Sequence, residues 1–189
     1  MTGAMRTCWG DVSPLMAAYH DEEWGVACRD AARLFEMLML EAFQAGLNWE
    51  LILKRRESFR TAFAGWDAAR IARFEEPEIQ LLLADAGVIR HRGKIEAAIA
   101  NAAAFLEAER EPGGFAAFAW SFAPSAQSRA APASWADVPA STPESAALSK
   151  ALRRRGFRFV GPTTCYAFMQ AVGMVNDHLA GCPRAVGTR

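Results

Sequence analysis

An all-α fold is what this sequence predicts, on three observations. Apolar residues recur at spacings of three and four along several long segments. Residues that start helices stand directly before those segments, namely Asp30, Asp67 and the pair Thr142-Pro143. No two segments alternate cleanly with the period of two that a half-buried sheet requires.

Each element follows from local sequence. Asp30 caps a helix whose apolar stripe is Leu34, Phe35, Leu38, Met39 and Ala42, and Gly46 stops it. Trp49, Ile52, Leu53, Phe59 and Phe63 continue on a second helix. Asp67 caps a short third, and Pro77 opens a fourth in its first turn, where a missing N–H is no loss. The run from Arg90 to Glu109 sets Ile95, Ala98, Ile99, Ala102, Phe105 and Leu106 on one face. Thr142-Pro143 starts a helix that runs to about Arg155, and Pro162 starts another that ends near Val172. The stretch 111–141 is different, with Gly113, Gly114, Pro124, Pro132 and Pro139 among many Ala and Ser. It reads as an ordered, loop-rich insertion, because Phe115, Phe118, Trp120, Phe122 and Trp135 need burial. The whole chain, 1–189, reads as a single domain.

Composition narrows the function. At 52% hydrophobic the chain has ample material for a core, so global disorder is excluded. Its 21 basic and 21 acidic residues cancel, which excludes a protein that coats nucleic acid by bulk charge but allows a local basic patch. Four cysteines are too few for a disulfide scaffold. The longest apolar run, 34–47, is broken by Glu36, Glu41 and Gln44, so no membrane span is expected. The first five residues lack the apolar centre of a signal peptide. These features fit a soluble, cytoplasmic protein with reduced thiols.

Three constellations carry chemistry. His178 and Cys182 lie four apart, while Cys8 and His20 stand at the other end of the chain. Together they offer two thiolates and two imidazoles, a closed tetrahedral set suited to structural zinc. Taken singly they also read as idle thiols and surface histidines, and Cys28 is a competing thiol; Cys165, inside an apolar helix, reads as core. The second constellation is a helical hairpin: Leu148 and Leu152 lead through Gly156 to Phe159, Val160, Gly161 and Pro162. Such a turn can grip a DNA phosphate with backbone N–H groups. Lys150, Arg153, Arg154, Arg155 and Arg158 surround it, and 90–94 (RHRGK) offers a second cationic contact. A plain hairpin with a solvated basic face reads the same way. The third is aromatic and acidic: Trp9, Tyr19, Trp24 and Trp49, with Glu41 inside an apolar helical run. Flat side chains around one carboxylate suit a planar, electron-poor ring, or form an aromatic core with an acid at its edge.

The chain resembles the 3-methyladenine DNA glycosylase I family. The resemblance rests on Ala18 to Val26 (AYHDEEWGV), Leu40 to Trp49 (LEAFQAGLNW), Asp85 to Ile95 (DAGVIRHRGKI), Leu148 to Leu152 (LSKAL), Arg155 to Gly161 (RGFRFVG) and Val175 to His178 (VNDH), in the family's order. It spans nearly the whole chain, from Cys8 to Cys182. It implies an all-α helix-hairpin-helix glycosylase with one structural zinc per chain, held by Cys8, His20, His178 and Cys182 across the two termini. It implies that Glu41 faces the excised base as the catalytic carboxylate, with Tyr19, Trp49, Trp9 and Trp24 around it. Gly46 and Leu47 match the element that fills the gap left in the DNA stack, and Phe159, Val160 and Gly161 match the DNA-gripping turn. The implied reaction is monofunctional hydrolysis of the N-glycosidic bond of 3-methyladenine after base flipping. The implied partners are double-stranded DNA carrying alkylated bases and, as product, free 3-methyladenine. A cytoplasmic monomer, nucleoid-associated when acting and without membrane contact, is expected. The sequence departs from the family at Met16, where a Tyr is common, at Trp9, which directly follows Cys8, and at Asn48, where Ser is frequent. Asp177 is given no catalytic role. A non-catalytic zinc-stabilised lesion sensor would share all these features, and a peptide-binding module would share the zinc and the aromatic cleft.

Overall fold

The computed structural model of the chain describes residues 5–125 and 130–185, and it is helical apart from one small hairpin. Strands β1 (Met5–Thr7) and β2 (Gly10–Val12) pair antiparallel, Thr7 opposite Gly10. Ten α-helices follow among the described residues: α1 (Pro14–Glu22), α2 (Ala31–Gln44), α3 (Trp49–Lys54), α4 (Arg56–Ala62), α5 (Ala68–Ile71), α6 (Glu76–Ala84), α7 (Arg92–Glu109), α8 (Gly114–Trp120), α9 (Pro143–Arg154) and α10 (Pro162–Ala171).

Helix α2 is the axle of the core. Asp30 caps it by accepting from Arg33 N at 2.8 Å, and every residue from Leu34 to Phe43 is buried. It packs against α3, α7, α8 and α10, so its stripe became a fully enclosed cylinder. Phe43, Phe59, Phe63 and Trp66 stack on one side at centroid separations of 4.8–6.2 Å. A buried ion network ties three helices to one another. Arg56 on α4 donates to Glu36 on α2 at 2.8 Å and to Glu23, just past α1, at 2.8 Å. Arg60 donates to Glu36 at 3.0 Å. Burial alone would raise the Glu36 carboxyl, but the two guanidiniums overbalance it and hold the group below its ordinary value. The network thereby ties the end of α1, which bears Tyr19 and His20, to α2 through α4.

The capped helices stand where the sequence places them. Pro77 lies in the first turn of α6, and Thr142 caps α9 by accepting from Ser145 N at 3.2 Å. Four features differ. The β-hairpin and α1 were not anticipated, since three-residue strands and a helix burying only Ala17, Tyr19 and His20 show no clear period. The expected second helix breaks at Arg55 (φ −101°, ψ 2°), giving α3 and α4. The 111–141 stretch contains α8 and a single 3-10 turn at Trp135–Asp137, with 126–129 outside the described residues. Phe115 is buried there as expected, but Trp135 remains 39% exposed.

Candidate functional site

The β-hairpin presents Cys8 and Trp9 as its two-residue turn, and neighbouring turn residues point to different places. Cys8 turns to a cluster with His20, His178 and Cys182, whose ligand atoms all lie within 4.8 Å of one another. Cys8 Sγ lies 3.0 Å from His20 Nε2 and 3.6 Å from His178 Nδ1, and the two ring nitrogens are 3.1 Å apart. Cys182 Sγ lies 3.7 Å and 3.6 Å from the same nitrogens. These are the edges of a tetrahedron whose centre would sit about 2.0–2.3 Å from each atom, the bond lengths of a metal with N and S ligands. The outer nitrogens are already fixed. His20 Nδ1 lies 2.6 Å from Asp21 Oδ1, and His178 Nε2 lies 3.0 Å from the Trp24 carbonyl. That aims the remaining nitrogen of each ring inward, as metal-bound histidines require. The four residues can therefore hold a metal ion, and doing so joins the two ends of the chain.

Trp9 turns the other way, into a cavity of about 230 Å³. Its walls are Trp9, Tyr19, Trp24 and Trp49, with Glu41 and Met16. Trp9 meets Trp24 at 5.0 Å and 69°, and Tyr19 meets Trp49 at 5.4 Å and 49°. The sequence-proposed aromatic residues are thus brought together with the acid, and Met16 forms wall where a Tyr is common. Three polar atoms of this lining are unpaired: Tyr19 Oη, Glu41 Oε2 and Trp49 Nε1 are buried without a hydrogen-bond partner. Unpaired buried polar atoms are costly and rare, so three around one cavity mark a place where a ligand completes the bonding. Burial pushes the Glu41 carboxyl up to about 8, and burial together with Glu41 raises the Tyr19 hydroxyl well above its ordinary value. A larger groove of about 470 Å³ lies behind Tyr19, but its Arg56, Arg60 and Glu57 side chains pair within the α2–α4 ion network.

Sequence reasoning missed further lining residues. Gln44 lies three residues beyond Glu41 on α2, and Ala167 and Gln170 share that spacing on α10; this helical periodicity was the available signal. Trp135 also reaches the cavity. Its Nε1 donates to Cys8 O at 2.8 Å, and no local pattern announced it. Asp177 does not reach it: its carboxylate is buried, accepting from Tyr166 Oη at 2.5 Å and Gln170 Nε2 at 2.8 Å.

Two further features stand at the surface. After α2 the chain turns at Gly46 (φ +80°), a conformation that disfavours any side chain, and Leu47 stands 37% exposed. Asn48 then caps α3 by accepting from Glu50 N at 2.7 Å, a task Ser performs equally, which explains that departure. The helical hairpin forms between α9 and α10. Phe159 (φ +54°) is exposed, Val160 is buried with its carbonyl accepting from Ser149 Oγ at 2.6 Å, and Gly161 caps α10 without a side chain. A Cβ at Gly161 would meet only Arg153 Nη2, at 3.7 Å, so the turn is open to an approaching group. Lys150, Arg153, Arg154 and Arg158 are exposed around it. Arg155 is not available in the same way, being paired with Glu111 at 2.8 Å and stacked on Phe118. In the 90–94 segment Arg92 pairs with Glu76 at 2.7 Å and Lys94 is buried, so only Arg90 and His91 remain as outward cations or donors.

An all-α protein with a helical hairpin, a Cys2His2 centre and an aromatic cavity around a buried acid has the architecture of a helix-hairpin-helix DNA glycosylase. The model of the methyladenine glycosylase family matches residues 9–185. The chain is 49% identical over 179 residues to DNA-3-methyladenine glycosylase 1 of Escherichia coli (strain K12), covering 94% of this chain and 96% of that protein. A crystal structure of 3-methyladenine DNA glycosylase I superposes with a TM-score of 0.90 at 50% identity, covering 95% of this chain and 98% of the other. The Staphylococcus aureus enzyme, solved to explain its recognition of 3-methyladenine, superposes with a TM-score of 0.91 at 33% identity, covering 98% and 99%. This chain belongs to the methyladenine glycosylase family.

Proposed function

We propose that this protein is a DNA-3-methyladenine glycosylase that flips an alkylated base from the duplex into the aromatic cavity and hydrolyses its N-glycosidic bond. The observation that carries this is the cavity's lining: π faces on several sides and three unpaired buried polar atoms, Tyr19 Oη, Glu41 Oε2 and Trp49 Nε1. A base within a duplex cannot reach such a cavity, so the nucleotide must leave the stack. Methylation at N3 makes the base cationic and a good leaving group. The bonding pair departs with the base, which leaves neutral; a water oxygen adds to the anomeric carbon, and that water's proton passes to solvent. Little acid catalysis is needed, so binding selects the substrate. Trp49 and Tyr19 offer their faces to the electron-poor ring. Glu41 accepts from it and stabilises positive charge in an enclosed site. No lysine lines the cavity among the described residues, so strand cleavage through a Schiff base is not part of the reaction.

Zinc is the metal we assign to Cys8, His20, His178 and Cys182, because two thiolates neutralise its charge and N/S tetrahedral sets favour it. The set is closed, so its role is to hold the termini. We read the whole chain as one glycosylase domain acting as a cytoplasmic monomer on double-stranded DNA. No described helix is long and apolar enough to cross a membrane.

The test is release of free 3-methyladenine from methylated DNA by purified protein. Release without strand cleavage is expected; tight binding of methylated DNA without release would make the protein a lesion sensor. Within that assay Trp49→Ala should lower base affinity and excision roughly 5- to 150-fold, the range of one lost base–aromatic stack. A variant that binds free 3-methyladenine as well as the parent would remove Trp49 from the pocket.

Phe159, Val160 and Gly161 would present backbone donors to a phosphate, with the exposed arginines adding affinity. Gly161→Asp has room and an ordinary φ of −66°, so the fold should persist. Its carboxylate would face the phosphate. Affinity for damaged and undamaged DNA should fall alike, by about tenfold or more, and binding of the free base should not change. Unchanged DNA affinity in the folded variant counts against the hairpin.

A further inference from the structure

Lys94 is a buried charge that neither the base pocket nor the metal centre uses. It sits in the first turn of α7, where the sequence suggests an outward phosphate contact. Instead its ammonium points inward and donates to Phe43 O at 2.8 Å and to Ala45 O at 2.7 Å. These are carbonyls of the last turn of α2, which no intrahelical donor satisfies. A cation is favoured there by the helix dipole. Glu41 lies two residues before the first of these carbonyls, and Leu47 two residues after the second.

Seven residues along α7, on the same face, Asn101 is fully buried and grips the other DNA-facing element. Its Oδ1 accepts from Arg158 N at 2.7 Å, and its Nδ2 donates to Arg158 O at 3.1 Å. Arg158 immediately precedes the hairpin tip at Phe159. A further contact lies three residues before Lys94, at the cap of α7: the His91 ring meets Phe159 at 6.3 Å, edge on. Helix α7 is thus a strut with the Gly46-Leu47 turn bonded near one point and the hairpin bonded about 10 Å further on.

We infer that Lys94 and Asn101 are positioning residues that set the separation between Leu47 and the phosphate-gripping hairpin, so that both engage one duplex at once. The inference rests on the glycosylase reading above and on Leu47 as the side chain that fills the emptied stack. Burying an ammonium and an amide costs free energy unless each is fully bonded. Here every described bond of the Lys94 ammonium goes to the end of α2, and the Asn101 amide brackets one hairpin residue.

The prediction separates duplex from single strand, because only a duplex has a stack for Leu47 to fill. Lys94→Met should keep binding of free 3-methyladenine within about twofold and lower excision from methylated duplex about tenfold or more, the scale of lost bonds to a charged group. Excision from methylated single strands should fall far less, so the duplex to single-strand ratio drops. Lys94→Arg, which keeps donors for both carbonyls, should restore most of that ratio. Leu47→Ala should lower the ratio similarly, and the double variant should be no worse than either alone, since one residue acts through the other. If Lys94→Met does not fold, the ratio is read on Lys94→Gln, which keeps a neutral donor nitrogen on a shorter side chain. An active parent with an unchanged ratio in the lysine variant, or effects that multiply in the double variant, overturns this inference alone. A parent that releases no base from either DNA overturns the glycosylase reading and the inference with it.

Discussion

Stripping the metal, or replacing Cys182 by alanine, is expected to lower the melting midpoint by roughly 8–16 °C and to abolish binding of free 3-methyladenine. The first figure follows from mass action: a ligand bound only by the folded state, present at about a thousand times its dissociation constant, contributes about 4 kcal/mol. For a chain of this length each kcal/mol moves the midpoint by about 2–4 °C. The second effect follows from contact. The His20 ring lies 4.9 Å from Trp9, and the His178 ring 4.5 Å from Trp24, both nearly edge on. Two cavity walls are therefore packed directly on the imidazoles of the Cys8, His20, His178 and Cys182 cluster. Trp135 is tied to the same unit through Cys8 O, and Ala180 N donates to Pro132 O at 2.8 Å. Freeing the termini loosens all of these. The hairpin lies at the far end of α10, about 15 Å along that helix, so DNA affinity should survive at temperatures where the protein stays folded. Elemental analysis should give one zinc per chain. A purified protein without metal, or a Cys182→Ala variant with the parent's metal content and midpoint, would sink the assignment.

What the sequence disclosed and what it withheld divide along a physical line. Helices with both a cap and a long stripe were legible: α2 behind Asp30, α6 with Pro77, α9 behind Thr142-Pro143. Their signals are local, and tertiary packing agrees with them. The short elements were not, because partners elsewhere in the chain hold them. The β-hairpin is three residues a side and positions Cys8 and Trp9, so its geometry depends on His178 and Trp24, more than a hundred positions away for the former. Helix α8 opens on two glycines with positive φ, Gly113 as its cap and Gly114 as its first residue, and is held by Phe115 against Phe105 and Phe157. Among the residues that the structure brings together, the chemically distinctive types stand out in the sequence: the cysteines and histidines, and an acid within an apolar run. Charges were the poorest guide. Arg155, Arg92 and Lys94 all read as outward cations, and the structure spends them on Glu111, Glu76 and the end of α2. Nothing in a basic run says which members have internal partners.

The other large effect is expected at Glu41, where stability and recognition should move in opposite directions. The carboxyl is fully enclosed, and burial raises its pKa from the ordinary 4.5 to about 8. Between those values the unfolded chain has released its proton while the folded chain still holds it. The folded state therefore binds more protons, and stability must fall as pH rises through that window, at about 1.4 kcal/mol per unit. The stability is fully present below pH 4.5, is lost by pH 8, and the decline totals on the order of 4–5 kcal/mol. Glutamine cannot titrate. Glu41→Gln should thus remove this decline, so that the parent's stability profile minus the variant's slopes downward from about pH 5 to pH 8 and is flat above. Denaturant midpoints across that range measure it, and parallel profiles would mean the carboxyl is not enclosed as described. Binding should respond the other way. Oε2 has no partner in the protein, and an electron-poor base that donates to it displaces the Glu41 proton, so that the carboxylate is the acceptor in the complex. Losing one charge-assisted bond should weaken binding of free 3-methyladenine by about 1.5–3 kcal/mol, roughly ten- to a hundredfold. Excision should fall less, because the methylated base is already a good leaving group. A Glu41→Gln protein that is more stable at pH 8 yet binds the base as the parent does would leave the buried acid in place and move the recognition site elsewhere.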